Sequence, residues 1–146
     1  MSNAQPSIEF QADGGPWWET AVVVCPKCGS RANRDRRRRA TCPSCAWSKT
    51  TTRSIYYLHE PRDPISGLDL WLQTPCCGQV LWAWNTEHGL WMQGYVRAKL
   101  RSRRWIGGWR NNSLQSRLPQ WITSAKNREP VLKALDRLVE RDLQAR

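Results

Sequence analysis

Residues 25–29 read CPKCG and residues 42–45 read CPSC, and these two short stretches decide the fold of the N-terminal part of the chain. Two Cys-x-x-Cys pairs at this separation form the ligand pattern of a zinc site closed by four thiolates. The predicted ligands are Cys25, Cys28, Cys42 and Cys45. Because thiolates fill all four positions, none is open to water or substrate, and we predict one structural Zn²⁺.

The two cysteine turns differ in the residue that follows them. Gly29 follows the first pair and can adopt the left-handed backbone conformation that closes such a turn. Ala46 stands at the equivalent place after the second pair. We therefore expect some backbone strain at Ala46, without the loss of a ligand.

Positive charge is concentrated between the two cysteine pairs. Residues 36–39 are four consecutive arginines, opposed nearby only by Asp35. We expect a hairpin with strands at 29–32 and 36–41, so that alternate arginines face opposite sides. Arginine binds phosphate bidentately, which predicts a nucleic-acid partner; the alternative is a merely solvated surface. The predicted contacts in this segment are Arg34, Arg36, Arg37, Arg38 and Arg39.

A second basic segment, residues 103–110, has two tryptophans among its arginines. Aromatic rings interleaved with arginines suit single-stranded nucleic acid, whose bases stack while its phosphates pair with the cations. The alternative is a loop anchored by two buried indoles. The predicted contacts here are Arg103, Arg104, Trp105, Trp109 and Arg110.

Composition limits the class of protein. A chain of 146 residues can bury one modest core, or a small core beside a module held by a metal ion. Its net charge is +11. Residues 1–24 contain acidic but no basic residues, unlike a secretory signal. Residues 2–4, Ser-Asn-Ala, resemble a remnant of an expression tag. No apolar run is long enough to span a bilayer. We therefore expect a cytoplasmic protein with reduced cysteines and no membrane partner.

Hydrophobic periodicity predicts an α+β fold in four parts. These are a flexible acidic N-terminus at 1–20, a three-stranded zinc ribbon at 21–58, a linker at 59–67, and a Trp-rich hairpin plus helical domain at 68–146.

Within the last part we expect a hairpin around residues 74–78 and about three helices. The first begins at a cap on Asn85 or Thr86 and ends near residue 103. The second begins near Pro119. The third, capped by Asn127, occupies 128–143, where apolar residues recur on one face.

Four further side chains could bind metal, namely Cys76 and Cys77 with His59 and His88. The side chains of adjacent residues diverge, so two neighbouring cysteines rarely ligate one ion. We therefore expect these cysteines to lie in a turn or in the core, and we leave a second metal site as the alternative.

The cysteine pairs and the hairpin between them resemble the transcription-factor-IIB-type zinc ribbon, which is also found in primosomal-helicase-like proteins. This resemblance covers about residues 22–58. Residues 81–88, 116–121 and 125–128 resemble small uncharacterised bacterial zinc-ribbon proteins. The resemblance implies a bacterial source and a structural zinc held by four thiolates. The chain lacks the Gly-x-x-x-x-Gly-Lys-Ser/Thr loop that a helicase needs to hold nucleotide phosphates.

Taken together, these features predict a non-enzymatic nucleic-acid-binding protein, regulatory or accessory, with DNA favoured over RNA. One alternative is an adaptor that docks on transcription or replication machinery as part of a protein complex. Another is an enzyme, in which Asp69, Glu87 and His88 form a nuclease-like cluster. The presence of only two histidines leaves little acid–base chemistry near neutral pH.

Overall fold

The computed structural model describes residues 17–52, 60–101 and 118–145. In these residues the protein is α+β, as predicted, with six strands in two antiparallel sheets and three α-helices. The predicted contacts at residues 103–110 lie outside the described residues, as does His59.

The N-terminal sheet contains four strands in the order β1-β2-β3-β4. They are β1 Ala21–Val24, β2 Arg31–Arg34, β3 Arg39–Thr41 and β4 Ser48–Thr50. The prediction of three strands was wrong, because a strand joins the central hairpin on each side. The valine-rich β1 pairs with β2 along its whole length, and β4 pairs with β3 after the second cysteine turn.

The turn between β2 and β3 is later in the chain than predicted. The Asp35 carboxylate accepts hydrogen bonds from the backbone N–H groups of Arg37 (2.8 Å) and Arg39 (3.0 Å). Arg38 adopts a positive φ of 69°. Aspartate favours such turns because its side chain satisfies backbone donors two residues on. Residues 36–38 therefore form the turn rather than a strand, and alternation across a sheet does not apply to them.

The second sheet is a hairpin of β5 Leu72–Cys76 and β6 Gln79–Ala83. Its two-residue loop consists of Cys77 and Gly78, whose φ angles are 56° and 76°. Two positive φ angles define a type I′ turn, which matches the right-handed twist of the flanking strands.

The helices are α1 Thr86–Arg101, α2 Gln120–Thr123 and α3 Arg128–Ala145. Asn85 caps α1 as predicted, since its Oδ1 accepts the backbone N–H of His88 at 2.8 Å. Asn127, predicted to cap α3, ends a short 3₁₀ turn that leads into that helix, and its side chain donates to the carbonyl of Trp121 (2.8 Å).

Helices α1 and α3 lie antiparallel and cover the second sheet. A Cβ atom on Gly89 would approach Cγ2 of Val139 to 3.0 Å, so glycine permits the close contact between the helices. The larger core lies here and includes Leu72, Leu81, Trp91 and Leu135.

Residues 60–71 join the N-terminal sheet to the half of the molecule that contains the second sheet and the helices. On the outer edge of β1, Val24 N–H donates to Asp69 O (2.9 Å) and Trp71 N–H donates to Val22 O (3.0 Å). In the segment predicted as a linker, Asp63 is fully buried beneath the N-terminal sheet. The described part of that segment therefore packs against the N-terminal sheet.

Candidate metal centre and arginine turn

The four predicted cysteine ligands converge at one end of the N-terminal sheet. Their sulfur atoms all lie within 4.8 Å of one another. Cys25 Sγ is 3.7 Å from Cys45 Sγ, and Cys28 Sγ is 3.5 Å from Cys42 Sγ. Among the described residues this is the one place where three or more potential metal-ligating side chains cluster. The group could hold a metal ion.

The two cysteine turns have the same backbone pattern. In the first, Cys25 N–H donates to Ser30 O and Gly29 N–H donates to Cys25 O, both at 2.8 Å. In the second, Cys42 and Ala46 make the equivalent bonds at the same distances. The closing residues have φ angles of 78° at Gly29 and 66° at Ala46. The predicted strain at Ala46 is therefore present, because a non-glycine residue occupies the left-handed region.

Hydrogen bonds make the cysteine thiols unequal. Those from Ser30, its hydroxyl first and then its backbone N–H, lower the pKa of Cys28 to about 6. The backbone N–H of Trp47 would lower the pKa of Cys45, but burial and the neighbouring sulfurs raise it to about 12. A second thiolate is thus disfavoured beside the first, and a bound cation would relieve that repulsion.

Arg34 is buried rather than displayed. It is 2% exposed, and its Nε and Nη2 donate to the two carboxylate oxygens of Asp63 at 2.8 and 2.7 Å. Its Nη1 donates to the carbonyl of Glu19 at 2.6 Å. With its fork engaged inside the protein, Arg34 is not available to a phosphate, and we remove it from the predicted contacts.

Arg31 makes a second ion pair, which joins the N-terminal sheet to helix α3. Its Nε donates to Oδ1 of Asp142 at 2.6 Å, and the other carboxylate oxygen accepts the hydroxyl of Thr86. Asp142 is fully buried near the end of α3. Sequence reasoning missed Asp63 and Asp142, since nothing local distinguishes a carboxylate whose partner lies far away in the chain.

The arginine turn, residues 35–39, projects from the sheet. Arg36, Arg37 and Arg39 are exposed, and Arg38 is half-buried. One exposed contact with an acidic side chain forms here, from Arg36 Nε to Glu19 Oε1 at 3.3 Å. The structure thus brings Arg36 to Arg39 together and separates them from Arg34.

Beside this turn, β2, β3 and β4 carry a polar, exposed row on one face of the sheet, whereas Val22 of β1 is buried on that same face. Asn33, Thr41 and Ser48 lie directly opposite one another across β2, β3 and β4, and all three are exposed. Arg39 lies on the same face and donates from Nη2 to the hydroxyl of Ser48 at 3.2 Å. The sequence analysis missed this row, whose signal is the short polar side chains at alternate strand positions.

His88 is enclosed by aromatic rings and takes no part in a metal site. It stacks on Trp84 with ring centroids 4.7 Å apart, and its Nδ1 accepts the backbone N–H of Trp84 at 3.1 Å. Burial lowers its pKa to about 3, so the imidazole is neutral at physiological pH and poorly suited to be a general base.

Cys76 and Cys77 lie at the tip of the second hairpin, with their sulfur atoms 3.6 Å apart. Cys76 points into the core and Cys77 is exposed. The expectation that adjacent cysteine side chains diverge was wrong for this pair, because the type I′ turn brings the two sulfurs together.

Among the helices of the described residues, none combines the length and the apolar character needed to cross a membrane. Comparison with known proteins finds no matching family model, no similar curated protein and no similar solved structure.

Proposed function

We propose that this chain is a non-enzymatic protein that holds one structural Zn²⁺ and binds nucleic acid, DNA in preference to RNA. The observation that carries the proposal is the exposed arginine turn, mounted on a sheet whose opposite end carries the four-cysteine group. The metal fixes the sheet, and the sheet presents the arginines and the polar row.

Zinc is the ion that best fits the cysteine group. Tetrahedral Zn–S bonds of about 2.3 Å imply sulfur separations of about 3.8 Å. The Cys28–Cys42 and Cys25–Cys45 sulfur separations, 3.5 and 3.7 Å, are close to that value. Soft thiolates in a set of four favour zinc over hard cations such as Mg²⁺ and Ca²⁺. Thiolate ligands also favour a reducing, cytoplasmic compartment.

The charge balance of the arginine turn favours an anionic partner. The turn carries four arginines against the single carboxylate of Asp35, whose Oδ1 already accepts two backbone N–H groups of the same turn. Glu19 contacts Arg36 in a pair whose two side chains are 47% and 77% exposed respectively. Such exposed pairs contribute little and are readily exchanged for a phosphate.

The polar row extends the surface on which a strand of nucleic acid could lie. Its hydroxyl and amide groups can contact phosphates, sugars or base edges, while Arg39 supplies the bidentate fork. Phosphate contacts from the turn would set the register, and the row would add short-range hydrogen bonds.

Two other functions have less support. An adaptor would need a large exposed apolar surface, whereas the large apolar side chains exposed in the described residues are Val80, Leu90 and Leu143. A nuclease-like cluster at Asp69, Glu87 and His88 would need a histidine that can take a proton from water. His88 is buried away from solvent and its pKa is lowered to about 3, so it is both inaccessible and a weak base.

The metal is tested by elemental analysis of protein purified without added metal. We expect one zinc per chain, with loss of both zinc and the N-terminal sheet in Cys28→Ser. Cys77→Ser is the matched control, because Cys77 is exposed and outside the group, and it should retain full zinc. A chain that folds completely after chelation would contradict this part of the proposal.

Nucleic-acid binding is tested by fluorescence anisotropy over a salt series, with single-stranded DNA, duplex DNA and RNA as probes. The test variant is Arg36→Ala/Arg37→Ala/Arg39→Ala. Each lost phosphate contact should reduce the slope of log affinity against log salt by about 0.9 on duplex and about 0.7 on single strands. We expect a total reduction corresponding to two or three contacts.

The control variant removes the same charge elsewhere. Lys126, Lys133 and Arg137 are exposed in or near α3, and changing all three to Ala lowers the net charge equally. If the control flattens the slope as much as the test variant, binding reflects net charge rather than the turn. If wild type and test variant bind every probe equally, the turn has no part in binding.

A further inference from the structure

The hairpin loop holds a pair of thiols that the proposed function does not use. Cys76 ends β5 and Cys77 begins the two-residue loop, and their sulfur atoms are 3.6 Å apart. This separation lies between the two sulfur separations in the four-cysteine group, 3.5 and 3.7 Å. The adjacent thiols are therefore spaced as two ligands of one soft centre.

The turn geometry produces this spacing. Cys77 has a φ of 56°, a conformation that a non-glycine residue adopts at a cost of about 1–2 kcal/mol. Asn or Gly is the usual residue at this position of a type I′ turn. Cysteine is thus placed where it is conformationally unfavourable, and the result is that its sulfur meets that of Cys76.

The two thiols differ in access. Cys76 is 8% exposed and packs in the larger core, which holds one sulfur in place. Its S–H donates toward the sulfur of Cys77. Cys77 is exposed and can meet a ligand that arrives from solvent. The pair therefore offers an anchored ligand and an accessible one.

No third ligand completes the site among the described residues, since His, Cys, Asp and Glu cluster in groups of three or more only at the four-cysteine group. Tetrahedral zinc would be incomplete here. A linear two-coordinate ion would hold its two sulfur ligands two bond lengths apart, which is farther than the 3.6 Å between the sulfurs of Cys76 and Cys77. A pyramidal centre with bond angles nearer to a right angle brings two sulfurs closer together.

We propose that Cys76 and Cys77 form a vicinal dithiol site that chelates one trivalent thiophilic centre of the arsenic(III) type, through two sulfur bonds. The site is separate from the four-cysteine group and does not depend on nucleic-acid binding. Both thiolates are soft ligands, which suits a soft centre rather than a hard cation.

A monosubstituted arsenic(III) oxide gives the simplest balanced reaction. With phenylarsine oxide, two S–H bonds and the arsenic–oxygen bond break, and two arsenic–sulfur bonds form. The two protons leave with the oxygen as one water, and the arsenic remains trivalent. The exposed thiol of Cys77 reacts first and that of Cys76 closes the ring.

Chelation is favoured over a direct disulfide between the same sulfurs. Adjacent Cα atoms are about 3.8 Å apart across a trans peptide bond. Disulfides usually join Cα atoms about 4.4–6.8 Å apart, so the bond would be strained. An inserted atom lengthens the bridge and removes this constraint.

The test uses the full, zinc-loaded, reduced chain titrated with phenylarsine oxide and followed by native mass spectrometry. We expect one phenylarsenic group per chain with zinc retained. A two-sulfur adduct should resist excess monothiol and be reversed by a small dithiol. In Cys77→Ser, which changes an exposed residue, the adduct that survives the monothiol wash should fall about a hundredfold, since chelation supplies that order of advantage.

Three results would overturn the proposal. The first is a wash-resistant adduct that persists in Cys77→Ser. The second is zinc release in step with arsenic uptake, which would identify the four-cysteine group as the site. The third is no wash-resistant adduct on folded wild type. Should Cys76→Ser unfold because Cys76 is buried, Cys77→Ser alone still decides the outcome.

Discussion

Arginines separated by a few residues in the N-terminal sheet have opposite environments. Arg31 and Arg34, on opposite faces of β2, pair with the fully buried carboxylates of Asp142 and Asp63. Arg36, Arg37 and Arg39 lie in or next to the following turn and are exposed. The same side chain is thus part of a buried ion pair on the strand and an exposed cation on the turn. A count of arginines cannot separate these two uses.

The difference also changes how the net charge is interpreted. The two strand arginines are neutralised internally, so they add little to the field outside the protein. The turn arginines are exposed, as are Lys27 and Lys49 of the same sheet region. Substitutions in the two sets should consequently separate stability from binding.

The largest effect on stability should come from Arg34→Met. It leaves the carboxylate of Asp63 buried without its bidentate partner, and breaking a buried ion pair from one side costs about 3–5 kcal/mol. The measurement is the free energy of unfolding of the zinc-loaded protein in urea.

The control for this variant is Arg34→Met/Asp63→Asn. The amide keeps an acceptor for the hydroxyl of Ser66, which donates to Asp63 at 2.6 Å, but removes the buried charge. The double variant should therefore be more stable than the single one. If it is no more stable, the loss in Arg34→Met comes from packing rather than from the stranded charge.

Acid should weaken the same ion pair. Burial by itself would raise the pKa of Asp63, but the hydrogen bonds and charge of Arg34, together with Ser66, lower it below its usual range. The stabilisation is complete above the unfolded pKa of about 3.9 and is lost as pH falls through the folded pKa.

The measurement compares wild type with Arg34→Met/Asp63→Asn at several pH values from about 5 down to about 3. Both chains have the same cysteines, so acid release of metal affects them alike. The stability advantage of wild type should shrink as pH falls. A constant difference would mean that the Asp63 carboxylate does not titrate differently in the two states.

A smaller effect is expected at Arg38, whose φ of 69° favours glycine. Arg38→Gly and Arg38→Ala both lose the side-chain contacts, so their difference isolates the backbone. The glycine variant should be more stable than the alanine variant by about 1 kcal/mol in urea unfolding. Equal stabilities would indicate that the turn relaxes around alanine without cost.

The smallest change in stability should come from Arg36→Ala/Arg37→Ala/Arg39→Ala. Exposed side chains away from buried partners usually change stability by no more than about 0.5 kcal/mol each. The free energy of unfolding should therefore stay close to that of wild type. A loss comparable to that of Arg34→Met would remove the distinction between the two sets of arginines.

The features that could be predicted from sequence are those specified by neighbouring residues. The cysteine spacing predicts the sulfur cluster, Asn85 predicts the start of α1, and apolar periodicity predicts α3. The turn chemistry of Asp35 was also present in the sequence, but the arginine run that follows was read as a strand.

The features that could not be predicted depend on distant partners. Arg34 and Arg36 have similar neighbours in the sequence. Arg34 is buried because it pairs with Asp63, which lies 29 residues later in the chain. Likewise, two adjacent cysteines in a sequence do not show whether their sulfur atoms meet. Here they meet because the hairpin register places Cys77 and Gly78 in a loop with positive φ angles. Side-chain environment follows from tertiary pairing, which a local pattern does not encode.

Arg31 and Asp142 are 111 residues apart in the sequence, so their contact can form only late in synthesis on the ribosome. The four cysteines precede α3 in the chain, so they leave the exit tunnel, and could bind a metal ion, before α3 has been made. Arg31 can find its carboxylate only after almost all of α3 has been made. Synthesis therefore separates the emergence of the cysteine group from the final contact between the N-terminal sheet and α3, and a nascent chain that stalls before residue 142 should lack that contact.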